Sequence, residues 1–178
     1  IMNLKTAVLL INLGTPDNPS VKDVRKYLFE FLNDPRVIDI PALARFILVN
    51  LIIVPFRAPK SAKIYQELWV HNGLPDGTNG SPILYYGKSV QGKLQKALGD
   101  PYDVYLAMRY KNPSLDDVLS DIYKNNYEKI IVIPLFPQYA SATTGSVVDK
   151  VMKIISGWWV IPEVKFIGQF YENDGYIN

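Results

Sequence analysis

The sequence predicts an α/β protein with a doubly wound parallel sheet and helices on both faces of the sheet. The first observation is the order of its segments, which alternate between short β-branched runs and longer stretches with apolar residues at helical spacing. The second is that a helical stretch separates each pair of consecutive strands. Parallel strands need crossover connections of this kind, so the segment order indicates a parallel sheet.

Four segments are predicted as strands. They are Thr6–Asn12, Asp103–Met108, Lys129–Ile133 and Glu163–Phe170. The third reads KIIVI and is apolar nearly throughout, so we expect it to be buried on both faces. The first strand begins close to the start of the chain. Its flanks lack the small-residue cleavage pattern of a signal peptide.

Capping residues mark the beginnings of three predicted helices. Ser20 and Ser114 each have an aspartate three residues later, and Ser81 is followed by proline. The expected apolar stripes are Val21, Val24, Leu28, Phe31 and Leu32 in the first helix, Ile83, Tyr86, Val90, Leu94 and Leu98 in the second, and Leu115, Val118, Leu119 and Ile122 in the third. A further helix is expected over Val147–Ile155.

Composition limits the classes of function. The chain has 178 residues, enough for one domain with a substantial core. Its formal net charge of +2 and the absence of a basic run argue against a nucleic-acid partner. It contains no cysteine, which excludes disulfides, thiolate metal sites and a cysteine nucleophile within it. This composition is compatible with the cytoplasm.

The segment Pro134–Ser146, PLFPQYASATTGS, is the first candidate for a ligand-binding loop. It follows a predicted strand, and it carries four hydroxyl side chains between positions 141 and 146. Loops at the carboxyl ends of strands line the ligand crevice of open α/β sheets. The segments Leu13–Pro16 and Arg109–Tyr110 also follow strands, so all three are expected on one rim. The alternative is that the hydroxyls only cap the next helix.

Residues 42–56 are apolar nearly all round, and two interpretations of them are open. One is a buried helix, and the other is an exposed lip beside a hydrophobic cleft, which would also be able to touch a membrane surface. The run is about 15 residues long, short of the roughly 20 that a membrane span requires. Periodicity does not decide between the two.

An arginine and the single histidine of the chain follow this run. Arg57 lies directly beside it and suits an anionic group on an amphiphilic ligand, because guanidinium pairs with carboxylates in forked geometry. The alternative is a surface arginine at a helix boundary. His71, the only histidine, lies in a predicted loop over residues 69–80. Without a second ligand at suitable spacing, it is poor evidence for a metal site.

Six motifs in order along the chain resemble those of ferrochelatases, which insert ferrous iron into porphyrin. They are LLINLGTPD (Leu9–Asp17), FLNDP (Phe31–Pro35), RAPKSAKIY (Arg57–Tyr65), GSPI (Gly80–Ile83), MRYKNP (Met108–Pro113) and PLFPQYASATTGS. The last is the most specific. The resemblance implies one of the two similar flavodoxin-like domains of a class II-type chelatase fold, with porphyrin in the cleft between the domains. Residues 1–178 would be the N-terminal chelatase domain.

The resemblance also implies which residues bind porphyrin. Arg57, Tyr65 and Ser81 match positions that hold porphyrin or its propionates, and Leu13 matches a position beside the macrocycle face. The remaining positions implied to line the pocket are Arg109, Tyr110, Tyr139, Ser141 and Thr143. Residues 42–56 would form the lip over the porphyrin.

The implied reaction is insertion of ferrous iron into protoporphyrin IX, with both as substrates and no tightly bound cofactor. The metal-handling histidine and glutamate of the family belong to a C-terminal domain outside these residues, so no catalytic or metal-binding residue is assigned here. We therefore expect the 178 residues alone to be inactive. A non-catalytic tetrapyrrole-binding domain is the alternative, and a cobalt or nickel chelatase fits the TTGS and RAPKS motifs less well. Localisation is expected to be cytoplasmic, with peripheral membrane contact through residues 42–56 open.

Overall fold

The computed structural model describes residues 5–71, 74–75 and 80–177, with only the backbone described for Val70 and His71. The chain divides into two compact units. We call one the sheet unit, formed by Ile1–Leu13, Gly87–Arg109 and Pro113–Asn178. We call the other the helical unit, formed by Gly14–Tyr86 and Tyr110–Asn112.

A four-stranded sheet with the order β2-β1-β3-β4 organises the chain. Its strands are β1 (Thr6–Gly14), β2 (Tyr102–Tyr110), β3 (Lys129–Pro134) and β4 (Glu163–Phe166). β1 pairs with β3 in parallel, and β3 pairs with β4 in parallel. The order corresponds to the first four positions of the flavodoxin-like arrangement. The predicted doubly wound parallel sheet is therefore confirmed.

The helices alternate with these strands, as the segment order predicted. They are α1 (Val21–Leu32), α2 (Ala42–Ile47), α3 (Val54–His71), α4 (Pro82–Leu98), α5 (Leu115–Lys124), α6 (Ser146–Ile155) and α7 (Asp174–Ile177). Two π-helical segments, Leu48–Ile53 and Ser141–Gly145, precede α3 and α6. The predicted caps of α1 and α5 are confirmed, since Ser20 and Ser114 each accept a hydrogen bond from the backbone of the aspartate three residues later.

The core of the sheet unit lies between the sheet and helices α5 and α6. Alternate residues of β1 and β3 point into it, together with one stripe from each helix. Its fully or almost fully buried members include Leu9, Ile11, Leu119, Ile130 and Val151. The opposite sheet face carries Leu106, against which Gly87 of α4 packs. The sheet unit therefore has helices on both faces.

Several predicted boundaries were wrong. β2 extends to include Arg109 and Tyr110, so these two residues end a strand and do not form a loop. β4 ends at Phe166, four residues earlier than expected from Phe170. β3 alternates between buried and half-buried residues, so the expected burial on both faces is wrong. β4 forms an edge of the sheet, which leaves its neighbourhood partly open to solvent.

Two predicted loops contain helical residues. α3 continues to His71, so the first residues of the expected 69–80 loop are helical. The rest of that loop lies largely outside the described residues, as does the side chain of His71. Similarly, the PLFPQYASATTGS segment becomes helical from Ser141, six residues before the predicted helix. Both helical segments therefore extend beyond the boundaries that the local signals indicate.

The predicted apolar stripe of α4 was also wrong. Tyr86 and Val90 are exposed. The side that contacts β2 instead carries two glutamines. Gln91 donates a hydrogen bond to the Val104 carbonyl at 2.8 Å, while Gln95 accepts one from the Val104 amide at 2.7 Å. β2 is an edge strand of the described sheet, and these amides satisfy backbone groups that no described strand pairs.

In the helical unit, α1 packs against α3. Val24, Leu28 and Leu32 are buried as predicted, but Val21 is exposed. Tyr27, absent from the expected stripe, is buried. Tyr27 lies three residues after Val24, so it shares the face of α1 that packs inward.

We predict that Gly14→Ala destabilises the protein. Gly14 has φ +125°, and an added Cβ would collide with the backbone carbonyl of Tyr110. The collision is with backbone, which cannot rotate away, so we expect a loss above roughly 2 kcal/mol in the free energy of unfolding. Urea denaturation would measure it.

Gly92→Ala is the matched control. Gly92 lies inside α4 with no atom near its added Cβ, and alanine there should stabilise the helix by about 0.5–1 kcal/mol. Equal stability changes in the two variants would contradict the strain at Gly14.

Candidate functional site

One long helix dominates the surface of the helical unit. α2, the first π-helical segment and α3 follow one another without a break from Ala42 to His71. Its first half exposes a row of large apolar side chains, namely Leu43, Phe46, Ile47, Leu51, Ile52 and Phe56. We call these six residues the apolar lip. Phe56 is 74% exposed and Leu43 is 73% exposed, values typical of side chains that lack packing partners.

The opposite face of the same helix is buried. Val49, Val54, Ala58 and Ala62 are at most 3% exposed. The first two are five residues apart, a spacing that places residues on one face when the helix makes i to i+5 hydrogen bonds. The two alanines are small enough to let α1 approach closely. The helix is therefore buried along one face only, and the alternative of a fully buried helix is wrong.

The continuous helix is longer than the apolar run that the sequence indicates, and its length bears on whether it could cross a membrane. The apolar run alone is too short to span a bilayer, but Ala42–Trp69 is 28 residues long and continuous. Among the described residues it is the one helix long and apolar enough to cross a membrane by length and composition. The core helix of a soluble protein can have the same length and composition. Peripheral membrane contact stays a prediction.

Arg57 follows the apolar lip directly, inside α3. The helix continues through Pro59, so Arg57 does not lie at a helix boundary. Whether it binds a ligand or is an ordinary surface arginine stays a prediction. The Arg57 side chain is exposed, and it makes no hydrogen bond or ion pair with any described residue. Its positive charge acts to lower the pKa of the phenols of Tyr27 and Tyr65. The arrangement presents a guanidinium with free donors next to an apolar surface.

Beneath this surface lies a cluster of aromatic rings. The ring of Tyr65 contacts Tyr27 edge-on at 6.2 Å between centroids and Trp69 at 5.9 Å. The ring centroids of Tyr27 and Phe31 are 6.0 Å apart. Burial raises the pKa of both Tyr27 and Tyr65, against the smaller opposing effect of the Arg57 charge. Both phenols are therefore neutral at physiological pH and available as hydrogen-bonding groups.

Tyr110 anchors the same cluster from the end of β2. Its ring contacts Phe31 at 5.3 Å, and its hydroxyl donates a hydrogen bond to the Asp34 carboxylate at 2.9 Å. Tyr110 is 1% exposed. The structure therefore places it behind the surface of the helical unit, where it supports Phe31 and Tyr27.

Ser81 occupies a buried position just before α4. Its hydroxyl donates a hydrogen bond to Thr15 Oγ1 at 2.9 Å. Thr15 comes directly after Gly14, at the end of β1. The bond joins the GSPI and NLGTP motifs inside the helical unit.

The sheet unit contains the remaining predicted residues near the ends of its strands. Leu13 is half-buried near the carboxyl end of β1. Arg109, in β2, donates from Nε to Ser146 Oγ at 2.7 Å and to the Ser146 carbonyl at 3.2 Å. Ser146 is fully buried at the start of α6. The structure thus brings Arg109 to the PLFPQYASATTGS segment.

That segment turns back on itself through short-range hydrogen bonds. The amides of Thr143 and Gly145 both donate to the Ala140 carbonyl, at 3.2 and 3.0 Å. Tyr139 and Ser141 are exposed before and within this turn. Thr144 is buried, and its hydroxyl has no hydrogen-bond partner among the described residues. π-helical turns such as this one are common at functional sites.

Sequence reasoning missed Tyr27, Asp34 and Thr15 as partners of the predicted residues. Tyr27 was detectable, because it lies on the inward face of α1 by helical spacing. The sequence indicates Asp34 and Thr15 only as parts of a helix end and a turn. Their partners are 76 and 66 residues away along the chain, so no local pattern indicates these bonds. Among the described residues, no group of three or more histidine, cysteine or carboxylate side chains is placed to hold a metal ion.

Comparison with known proteins decides the family. The family model described as ferrochelatase matches residues 5–178. The chain belongs to the ferrochelatase family. It is 43% identical to a ferrochelatase of Legionella pneumophila (strain Corby) over 174 residues, which are 98% of this chain and 50% of that protein. It is 44% identical to a ferrochelatase of Coxiella burnetii (strain CbuK_Q154) over 176 residues, which are 99% of this chain and 47% of that protein.

The chain thus spans about half the length of the curated ferrochelatases it matches. The resemblance inferred from the six motifs is confirmed, and so is the α/β fold with a parallel sheet flanked by helices. Which residues bind porphyrin stays a prediction.

We predict that Tyr27→Phe reduces the loss of stability at alkaline pH. The pKa of Tyr27 is raised by folding above its ordinary value of 10.0, so the folded state holds this proton more tightly than the unfolded state. The resulting stabilisation is complete below pH 10 and is lost as the pH rises further, by at most about 1.4 kcal/mol per pH unit. Urea denaturation between pH 9 and roughly 11.5 would show a shallower decline for the variant.

Tyr86→Phe, at an exposed position of α4, is the control and should follow the unmodified protein. An equally steep decline in Tyr27→Phe and the unmodified protein would contradict the burial effect at Tyr27.

Proposed function

We propose that this chain is the porphyrin-binding half of a ferrochelatase that inserts ferrous iron into protoporphyrin IX. The observation that carries the proposal is the apolar lip followed by the exposed guanidinium of Arg57, which pairs with no described residue. Membership in the ferrochelatase family supports the choice of ligand.

The chemistry of porphyrin suits this surface. A porphyrin is a flat apolar disc with propionate carboxylates along one edge. Burying apolar side chains against the disc contributes roughly 25 cal/mol per Å² of surface removed from water. A guanidinium binds a carboxylate through two parallel hydrogen bonds and so orients the edge of the disc. The lip would supply affinity, and Arg57 would supply orientation.

Tyr65 adds a neutral hydroxyl close to Arg57. Because the pKa of Tyr65 is raised by burial, its phenol keeps its proton and remains able to donate a hydrogen bond to a propionate. Tyr27 and Trp69 hold the Tyr65 ring by edge-on contacts. Because these contacts already order the Tyr65 side chain, it loses less conformational entropy when a ligand binds.

Metal insertion needs two further steps. The ring must bend out of its plane, and its pyrrole protons must be removed by a base. We propose that the residues for proton removal and iron delivery belong to the second half of the ferrochelatase length. On this proposal the 178 residues alone bind porphyrin weakly and do not catalyse insertion.

We also propose a cytoplasmic location with peripheral contact to a membrane. The apolar lip offers side chains that can enter a bilayer surface, and Arg45, Arg57, Lys60 and Lys63 lie along the same helix. Exposed apolar residues next to basic ones favour binding to anionic lipid surfaces. Such contact would place the helix near an apolar substrate.

We predict that Arg57→Ala weakens porphyrin binding by roughly tenfold or more, because a hydrogen bond to a charged group contributes about 1.5–3 kcal/mol. Arg57→Lys should recover only part of the affinity, since lysine lacks the forked geometry. Quenching of porphyrin fluorescence in a protein of full ferrochelatase length would measure this. Arg25→Ala, which removes another exposed arginine of the helical unit, should leave the affinity unchanged. Unaltered affinity in Arg57→Ala would make Arg57 an ordinary surface charge.

We predict a preference for protoporphyrin IX over coproporphyrin III. The resemblance places the apolar Leu13 where relatives that use coproporphyrin carry tyrosine, and protoporphyrin IX has two propionates compared with four. Anaerobic assays of ferrous iron insertion into each porphyrin, with a protein of full ferrochelatase length, would compare the rates.

Faster insertion into coproporphyrin III would reject this preference. Porphyrin binding without insertion into either porphyrin would favour the alternative, a non-catalytic tetrapyrrole-binding protein.

A further inference from the structure

A cavity lies in the sheet unit, at the amino ends of β3 and β4. Its volume is about 400 Å³. Parallel strands place their amino ends at one edge of a sheet and their carboxyl ends at the other. The cavity is therefore at the edge opposite the one where the PLFPQYASATTGS segment leaves β3, and the proposed porphyrin chemistry does not use it.

Aromatic and apolar side chains form its walls. The rings of Tyr123 and Trp158 lie 5.0 Å apart with a 43° tilt. Val160, Ile161 and Pro162 complete the apolar lining. Pockets for small ligands have volumes of roughly 300–1,000 Å³, so this one is large enough for a compact molecule and too small to enclose a porphyrin.

Two carboxylates, Glu128 and Glu163, also line the cavity. Glu163 is already paired with Lys129, at 2.7 Å. The Glu128 carboxylate makes no hydrogen bond or ion pair with any described residue. Lys124 nearby in sequence is paired with Asp121. Among the described residues, Glu128 is therefore the carboxylate of the lining that has no ion pair.

The position of Glu128 is set by backbone bonds on both sides. Its amide donates to the Lys5 carbonyl at 3.2 Å, and its own carbonyl accepts from the Glu163 amide at 3.0 Å. The adjacent Tyr127 is buried, and its hydroxyl donates to Asp103 at 2.7 Å. Asp103 is thus occupied, and Glu128 is the carboxylate of the lining that pairs with no described residue.

We propose that this cavity binds a small organic cation, an ammonium group carried on a compact aromatic or apolar body. The ammonium would pair with Glu128 and lie against the rings of Tyr123 and Trp158, whose π faces attract cations. The apolar body would contact Val160, Ile161 and Pro162. An anionic ligand would be repelled by Glu128, so the site differs in charge preference from the surface around Arg57.

Three probes of the same size test this proposal. Benzylamine is cationic at neutral pH, benzyl alcohol is neutral, and benzoate is anionic. Titration of each into the protein, followed by NMR shifts of the protein and by tryptophan fluorescence, gives the three affinities. We expect benzylamine to bind about threefold to tenfold more tightly than benzyl alcohol, from one partly exposed ion pair and a cation–π contact. Benzoate should bind most weakly.

Glu128→Gln should abolish the preference for benzylamine over benzyl alcohol while leaving the affinity for the alcohol unchanged. Asp121→Asn, at an exposed carboxylate outside the cavity lining, should leave both affinities unchanged. Circular dichroism would verify that both variants are folded. Arg57→Ala should leave the benzylamine affinity unchanged, so the result is independent of the proposed porphyrin site.

Three outcomes would overturn the proposal. They are absence of saturable benzylamine binding, equal affinities for benzylamine and benzyl alcohol, and an unchanged preference in Glu128→Gln.

Discussion

The helix from Ala42 to His71 is constrained by its burial against α1, and the candidate site depends on that constraint. Val49, Val54, Ala58 and Ala62 form the inward stripe. The π-helical segment adds one residue to a turn, so the first two of these can face inward although they are five residues apart. Because the inward positions are taken by small and β-branched residues, the larger apolar side chains point outward. The same packing leaves Arg57 exposed at the end of the lip.

Buried polar pairs hold the chain together where its motifs meet. Tyr110 bonds Asp34, Ser81 bonds Thr15, and Arg109 bonds Ser146. A buried polar group without a partner costs about 1–3 kcal/mol, so each pair restricts the geometry of both of its members. Within the part of the chain that the structure describes, Thr144 is the exception, since its buried hydroxyl in a π-helical turn has no hydrogen-bond partner there. Such uncompensated groups and irregular turns are concentrated at functional sites.

Backbone polar groups at one edge of the sheet are also satisfied, here by side chains. β2 has a neighbouring strand on one side only, and the side chains of Gln91 and Gln95 bond to its backbone at Val104 and Tyr102. At β4, the opposite edge strand, the residues are exposed or half-buried. The cavity beside Glu128 and Trp158 lies at the amino end of this open side. The two edges therefore differ: glutamine side chains bond to the backbone of β2, whereas the residues of β4 are exposed or half-buried.

The sequence by itself determined the fold class, the order of the elements and the family. These depend on local signals, namely β-branched runs, capping pairs such as Ser20 with Asp23, and short motifs at fixed positions. Only the tertiary structure decided that the helix over residues 42–56 buries one face and exposes the large apolar side chains of the other, because an apolar run has the same sequence whether it packs against protein or faces solvent. It also decided that α4 contacts β2 through glutamines and that Tyr110 is buried against Asp34. Those outcomes depend on which surfaces come into contact when the chain folds. The contacting residues are far apart in the sequence, so no local pattern predicts their contact.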